Sequence, residues 1–294
     1  MKNIIFDFEY FTPNTVEEAL KLLEKYGDEC KVIAGGQSLL ILMKQRLLTP
    51  QYLMSIKGLS ELDYIDYDDK KELKIGALTT HRAIEKSPVI QKEFSVLSEM
   101  EQNISSVETR NWGTIGGDVS HGDPGGDPAP VLIALNAKLK MTSLSGERTV
   151  DAEDFTLDYF ETVLQHDELL TEIQVPALPP NTGVKFTKFS QIVGDYGLAS
   201  VAMLITLDEK KETCSDVRIA LGGVAPAPMR AKKAEDVLKG KKINDDLLAE
   251  AGQAASEEAS PTPDVQASDE YRRDLVKVLV KRVGNEALAR AKKA

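Results

Sequence analysis

The chain has 294 residues, 42% of them hydrophobic, and a formal net charge of −11. That length builds one large or two ordinary globular domains, and an acidic surface of this kind repels nucleic acid. No apolar run is long enough to span a membrane as a helix. Two cysteines, Cys30 and Cys214, fall short of the thiolates an iron–sulfur cluster normally needs, and His81, His121 and His166 add too little for a structural zinc site. The thiols read as free in a reducing compartment; with Asp7 too early for a secretory signal, the expected location is cytoplasmic.

In chain order, Pro13 and Asn14 open a helix through residues 16–23, which Gly27 stops. Lys31-Val32-Ile33-Ala34 reads as a short buried strand, broken by Gly35-Gly36. Ser38 is placed to cap the next helix, residues 39–48, which ends before Pro50. Another strand is expected over 51–56. Residues 62–66 and 73–77 flank the polar turn 68–71 and predict a β-hairpin. Helices are expected in 80–105, a Gly-, Asp- and Pro-rich loop over 111–130, and strands and turns over 136–176. Pro176, Pro179 and Pro180 mark a boundary. Beyond it come strands at 184–190, 198–208 and 215–222, then helices at 231–239, 245–259 and 269–291. The last carries Leu275, Val276, Leu279, Val280 and Val283 at helical spacing, which reads as core packing, with docking onto a partner subunit as the alternative. The chain thus divides into units 1–57, 58–177 and 178–294.

Two glycine segments carry the chemistry. A dinucleotide pyrophosphate must be approached closely by backbone N–H groups, and glycine permits this because it lacks a Cβ and tolerates positive φ. Ala34-Gly35-Gly36-Gln37-Ser38 sits between a strand and a helix; by itself such a pair is equally a tight turn. The Gly-x-Gly-x-x-Gly spacing is absent, since Leu39 stands three beyond Gly36, and no acidic residue ends the next strand near Ile56, so a nicotinamide-type fingerprint is not present. The second segment, Asn111-Trp112-Gly113-Thr114-Ile115-Gly116-Gly117-Asp118, continues through His121 to Asp127. So many glycines are costly to order, which favours a ligand-holding role. Asp118 and Asp127 read either as acceptors for ribose or ribityl hydroxyls or as turn-capping aspartates. No nucleophile–base constellation and no metal-ligand set is evident.

These segments, their order and their separation resemble the flavin-binding medium subunit of the molybdenum hydroxylases. That group includes the medium subunit of aerobic carbon monoxide dehydrogenase and the flavin domain of xanthine dehydrogenase. Further matching stretches are Gly76-Ala77-Leu78-Thr79-Thr80-His81, Gly194-Asp195-Tyr196-Gly197-Leu198-Ala199, the run from Gly222 to Ala231, and Ser268-Asp269-Glu270-Tyr271-Arg272-Arg273. The resemblance covers essentially the whole chain, and the Thr-Ile-Gly-Gly-Asp segment with Asp127 is its most specific part. It implies an α+β chain: a vanillyl-alcohol-oxidase-like FAD-binding fold of two α/β lobes, followed by a C-terminal α+β domain.

The resemblance also implies the cofactor contacts. Val32, Ile33, Ala34, Gly35, Gly36, Gln37, Ser38 and Leu39, with Gly113, Thr114, Ile115, Gly116, Gly117 and Asp118, would wrap the pyrophosphate. Thr79, Thr80 and His121 would border it, and Asp127 would bind the ribityl or ribose side. Leu170 and Lys188 fall near flavin- or adenine-contacting positions, and Tyr196 would approach the isoalloxazine ring. Many relatives carry basic residues just before the Gly-Asp-aromatic stretch; this chain has Gln191-Ile192-Val193. The implied role is electron transfer without catalytic residues of its own. A large partner subunit would hold a molybdopterin cofactor and a small one two [2Fe-2S] clusters, with NAD, a quinone or oxygen as acceptor. A stand-alone FAD oxidoreductase and a non-catalytic assembly module that retains the fold are the alternatives.

Overall fold

The computed structural model describes residues 6–68 and 72–294. Most of the turn expected at 68–71 therefore lies outside the described residues.

The N-terminal unit comprises β1 (Glu9–Phe11), α1 (Val16–Tyr26), β2 (Cys30–Ile33), α2 (Leu39–Lys44) and β3 (Tyr52–Ser55). Thr15 caps α1, its hydroxyl accepting from the Glu18 N–H, and Gly27 ends it at φ 51°. Ala19, Leu20 and Leu23 line the buried face, packing on Met54, Ile56 and Leu59. The sheet is parallel, ordered β1-β3-β2. Strand β1 had no counterpart in the sequence reading, and its pattern explains why: two of its three residues are exposed. Helix α2 is shorter than expected, because Arg46 turns left-handed at φ 60° two residues past its end.

The middle unit begins with β4 (Ile65–Tyr67) and β5 (Leu73–Gly76). Short helices follow: α3 (His81–Lys86), α4 (Pro88–Glu93), α5 (Ser95–Glu101), α6 (Val107–Trp112), α7 (Ile115–His121) and α8 (Pro128–Ala134). The unit closes with β6 (Lys138–Ser143), β7 (Gly146–Asp151), the small pair β8 (Thr156–Asp158) and β9 (Glu161–Thr162), and β10 (Leu169–Val175). The antiparallel sheet runs β4-β5-β10-β6-β7. Ile84, Leu97, Ile115 and Val131 from the helices pack on Leu73, Ile75, Leu139 and Ile173 from the strands.

The loop expected over 111–130 is a correction: much of it is helical. Its glycines suggested irregular backbone, but Thr114 caps α7 and Pro128 occupies the first turn of α8, where a missing N–H costs nothing. Gly116 and Gly117 lie in the first turn of α7, so their lower helix propensity is outweighed by the cap and by packing.

The C-terminal unit holds β11 (Thr182–Phe189), β12 (Ala199–Leu207), β13 (Cys214–Gly222) and β14 (Met229–Arg230), an antiparallel sheet in that order. Helices α9 (Lys232–Leu238), α10 (Asp245–Glu258) and α11 (Asp269–Lys293) follow. Every residue of β12 is buried. The two faces enter different cores: Ala202 and Leu204 join the middle unit, while Val201, Met203 and Ile205 join the helices behind the sheet. This is why residues 201–205 read as an unbroken apolar run rather than an alternation, flanked by buried Ser200 and Thr206. The stripe Leu275, Val276, Leu279, Val280 and Val283 on α11 is buried in the second of these cores, as its spacing predicts. No described helix is long and apolar enough to cross a membrane.

Candidate functional site

The first glycine segment leaves β2 and enters α2. Gly36 stands at φ +70°, a conformation other L-residues rarely adopt. Gly35 is required for another reason. A Cβ there would lie 2.1 Å from the Trp112 carbonyl oxygen and 2.7 Å from the Gly113 Cα. The two glycine segments thus touch backbone to backbone. Gln37 folds back, its Nε2 donating to the Gly35 carbonyl at 3.0 Å. Among the described residues, no acceptor meets the backbone N–H groups of Gly35, Gly36, Gln37, Ser38 or Leu39. Ser38 is a correction: its backbone is already helical and its hydroxyl does not cap α2. It faces the Tyr196 hydroxyl instead.

The second segment is built the opposite way. The Ile115 N–H donates to the Thr79 carbonyl, the Gly116 N–H to the Ala77 carbonyl, and the Gly117 N–H to the Thr114 hydroxyl. A Cβ on Gly116 would lie 2.5 Å from the Ala77 carbonyl oxygen, so this glycine permits α7 to pack on the turn after β5. Gly117 faces the first segment, its virtual Cβ 3.8 Å from the Ala34 Cβ. Thr79 is buried, with its hydroxyl bonded to the Tyr64 backbone, and Thr80 caps α3. Leu170 is buried in β10 opposite Met141, and Val32 and Ile33 belong to β2.

Charged groups gather beside the two segments. Asp127 is buried and pairs with Lys188 from β11 at 2.6 Å, leaving its Oδ1 without a partner. Burial pushes the Asp127 carboxyl up to about 7, against the pull of Lys188. Asp118 lies 3.5 Å from His81 Nε2, and His81 Nδ1 meets Glu101 at 2.8 Å. Burial works against a charged His81 ring, but Glu101 and Asp118 outweigh it and raise its pKa to about 9. Glu101 has no sequence signature: it lies on a different helix, twenty residues from His81. His121 packs its ring 5.2 Å from Phe160. Tyr196 stands half-exposed against Gly125, and Ile192 and Val193 are exposed beside it.

Together these residues offer free backbone donors for an anion, an open buried carboxylate oxygen for a hydroxyl, and a half-exposed aromatic bordering Gly125. A dinucleotide carrying a polyol fits that donor set. A family model described as the FAD binding domain in molybdopterin dehydrogenase matches residues 6–178, and one described as the CO dehydrogenase flavoprotein C-terminal domain matches 185–287. The class is thus an FAD-binding flavoprotein of the molybdopterin dehydrogenases.

The chain is 38% identical over 280 residues to the glyceraldehyde dehydrogenase medium chain of Sulfolobus acidocaldarius, covering 95% of this chain and 98% of that one. It is 35% identical to the carbon monoxide dehydrogenase medium chain of Hydrogenophaga pseudoflava, covering 96% and 98%. In structure it superimposes on a chain of the carbon monoxide dehydrogenase from that organism lacking the Mo-pyranopterin moiety, with a TM-score of 0.94, 36% identity, and 98% and 99% of the two chains covered. A chain of quinoline 2-oxidoreductase from Pseudomonas putida matches at a TM-score of 0.91 and 31% identity, with the same coverage. The chain belongs to the family of FAD-binding medium subunits of the molybdenum hydroxylases, and is an oxidoreductase component with FAD as its cofactor.

Proposed function

We propose that this chain is the electron-transfer flavoprotein subunit of a molybdenum hydroxylase complex. A large partner subunit carries the molybdopterin cofactor and a small one the [2Fe-2S] clusters. Electrons leave this chain to NAD, a quinone or oxygen. FAD supplies one- and two-electron chemistry when bound, while the protein contributes position and electrostatics.

The observation that carries this reading is the run of unengaged N–H groups from Gly35 to Leu39, in a segment packed against Trp112, Gly113 and Gly117. These donors hold the pyrophosphate. The open Asp127 oxygen accepts from a ribityl or ribose hydroxyl, with Lys188 fixing the carboxylate in place. Tyr196 borders the flavin ring. Leu170, Val32, Ile33 and Thr79 shape the walls from within rather than offering polar side-chain contacts. The chain's units are residues 1–57, 58–177 and 178–294, the first two holding FAD between them. A cytoplasmic location is in keeping with Cys30 and Cys214, both buried and unbridged.

The test is titration of the full chain with FAD. One equivalent taken up, with perturbed flavin absorbance, is expected; a folded chain that leaves the flavin spectrum unchanged overturns the assignment. Dithionite reduction and reoxidation by NAD, a quinone or oxygen then ranks the acceptors. Purification of a tagged chain from its native host tests for the large and small subunits.

A further inference from the structure

His81 lies beneath the contact between the two glycine segments. Its backbone N–H donates to the Gly113 carbonyl at 3.0 Å, and a Cβ on Gly113 would lie 3.0 Å from the ring carbon Cδ2. The ring bridges carboxylates from different helices, Glu101 at the end of α5 and Asp118 in α7. Glu101 is completely buried, and its Oε1 has no partner.

A neutral imidazole carries one ring proton and the imidazolium two. With a single proton, the 2.8 Å bond to Glu101 keeps it on Nδ1, because losing that donor would strand a buried carboxylate. The Nε2 lone pair would then face the Asp118 carboxylate at 3.5 Å, which is repulsive. Only the doubly protonated ring donates to both. The surrounding charges do not replace it. Arg110 acts on Glu101 but is bonded to Glu85, and Lys188 is bonded to Asp127. His121 and Asp123 face Asp118 with opposing effects. Among the described residues, Asp118 has no other ion-pair partner than His81.

We propose that His81 is a positioning residue: a proton on its Nε2 holds the Asp118 carboxylate beside the glycine segments, and FAD retention depends on that proton. This rests on the assignment of Asp118 to the cofactor site. Once the proton is lost, Glu101 keeps its bond to Nδ1 but Asp118 is released as an uncompensated carboxylate beside the pyrophosphate, so affinity falls. The proton is present at neutral pH and leaves as pH rises through about 9.

The test measures the FAD dissociation constant of the full chain by flavin fluorescence, from about pH 7 to about pH 9.5, where loss of one proton weakens binding by at most about tenfold per pH unit. NMR shifts of the histidine ring nitrogens in the FAD-free chain report protonation directly. Wild type is expected to weaken with rising pH and to show both His81 nitrogens protonated near neutrality. In His81→Gln the weakening above about pH 8 disappears, leaving only the titration of Asp127 near pH 7; in Glu101→Gln the weakening moves to lower pH. A singly protonated His81 near neutrality, or an unchanged pH profile in His81→Gln, overturns the proposal. Asp118→Asn separates the two levels. If it binds FAD as wild type does, the assignment of Asp118 fails and this inference with it. If it weakens binding while His81→Gln leaves the profile unchanged, only the inference fails. Should His81→Gln not fold, the Glu101→Gln profile and the wild-type ring shifts decide.

Discussion

At the first glycine pair the backbone N–H groups meet no acceptor among the described residues; at the second they are bonded inside the protein. Gly35 and Gly36 bring the chain past Trp112 and leave the donors from Gly35 to Leu39 without acceptors. Gly116 and Gly117 sit in a capped helix turn whose donors reach Ala77, Thr79 and Thr114. Two similar strings of residues thus have different physical duties. One presents an anion cradle, while the other is a buttress that lets α7 pack close enough to shape it.

Substitution separates these duties. The largest effect is expected from Gly35→Ala, since its Cβ would overlap the Trp112 carbonyl and force the segments apart. FAD binding should weaken by about a hundredfold or more, a loss of roughly 3 kcal/mol, measured by titration of the folded variant. Retained affinity would break the distinction. Next comes pH. His81 is raised from 6.5 to about 9 in the fold, so its contribution to stability is complete below about pH 6.5 and is lost as pH rises through about 9. Denaturant unfolding of the FAD-free chain should show a decline on the order of 2 kcal/mol across that window. His81→Gln should flatten it.

Gly116→Ala presses a methyl group on Ala77 and should cost about 1–3 kcal/mol in unfolding free energy. Its folded fraction should bind FAD nearly as wild type does, the reverse of Gly35→Ala. A loss of affinity without a loss of stability would instead make Gly116 part of the cradle. The smallest effect is expected for Thr114→Val, which removes the cap of α7 and should cost about 1 kcal/mol; thermal unfolding reports it.

Much of this was legible in the residues. Helix α1 carries its apolar stripe and its stop in sequence, although Thr15 caps it where Pro13 and Asn14 were expected to open it, and α11 carries a full core-facing stripe. The strand expected over 198–208 is β12, though its burial on both faces was a matter for the tertiary structure. Local signals failed where tertiary contacts outweighed them. Ser38 is a cap residue by type, but its backbone enters the helix too early to act as one. The glycines between Gly113 and Gly126 suggested a loop, whereas Thr114, Pro128 and packing on Ala77 and β10 made helices of much of it. Gln191 is tied to the Gln266 carbonyl, which leaves Ile192 and Val193 exposed beside Tyr196 rather than replacing the basic residues of relatives with another polar contact.

The sequence by itself determined that two glycine segments exist and that the first lacks the Rossmann spacing, properties that reside in residue type and spacing; the flavin entered through the resemblance of the whole chain to a known family. Only the tertiary structure decided which segment keeps its donors free, because a backbone N–H is open or satisfied according to what packs against it. The same is true of Glu101, an unremarked helix residue in the sequence. Burial against His81 turns it into a charge that the fold must answer, through a proton shared across two helices.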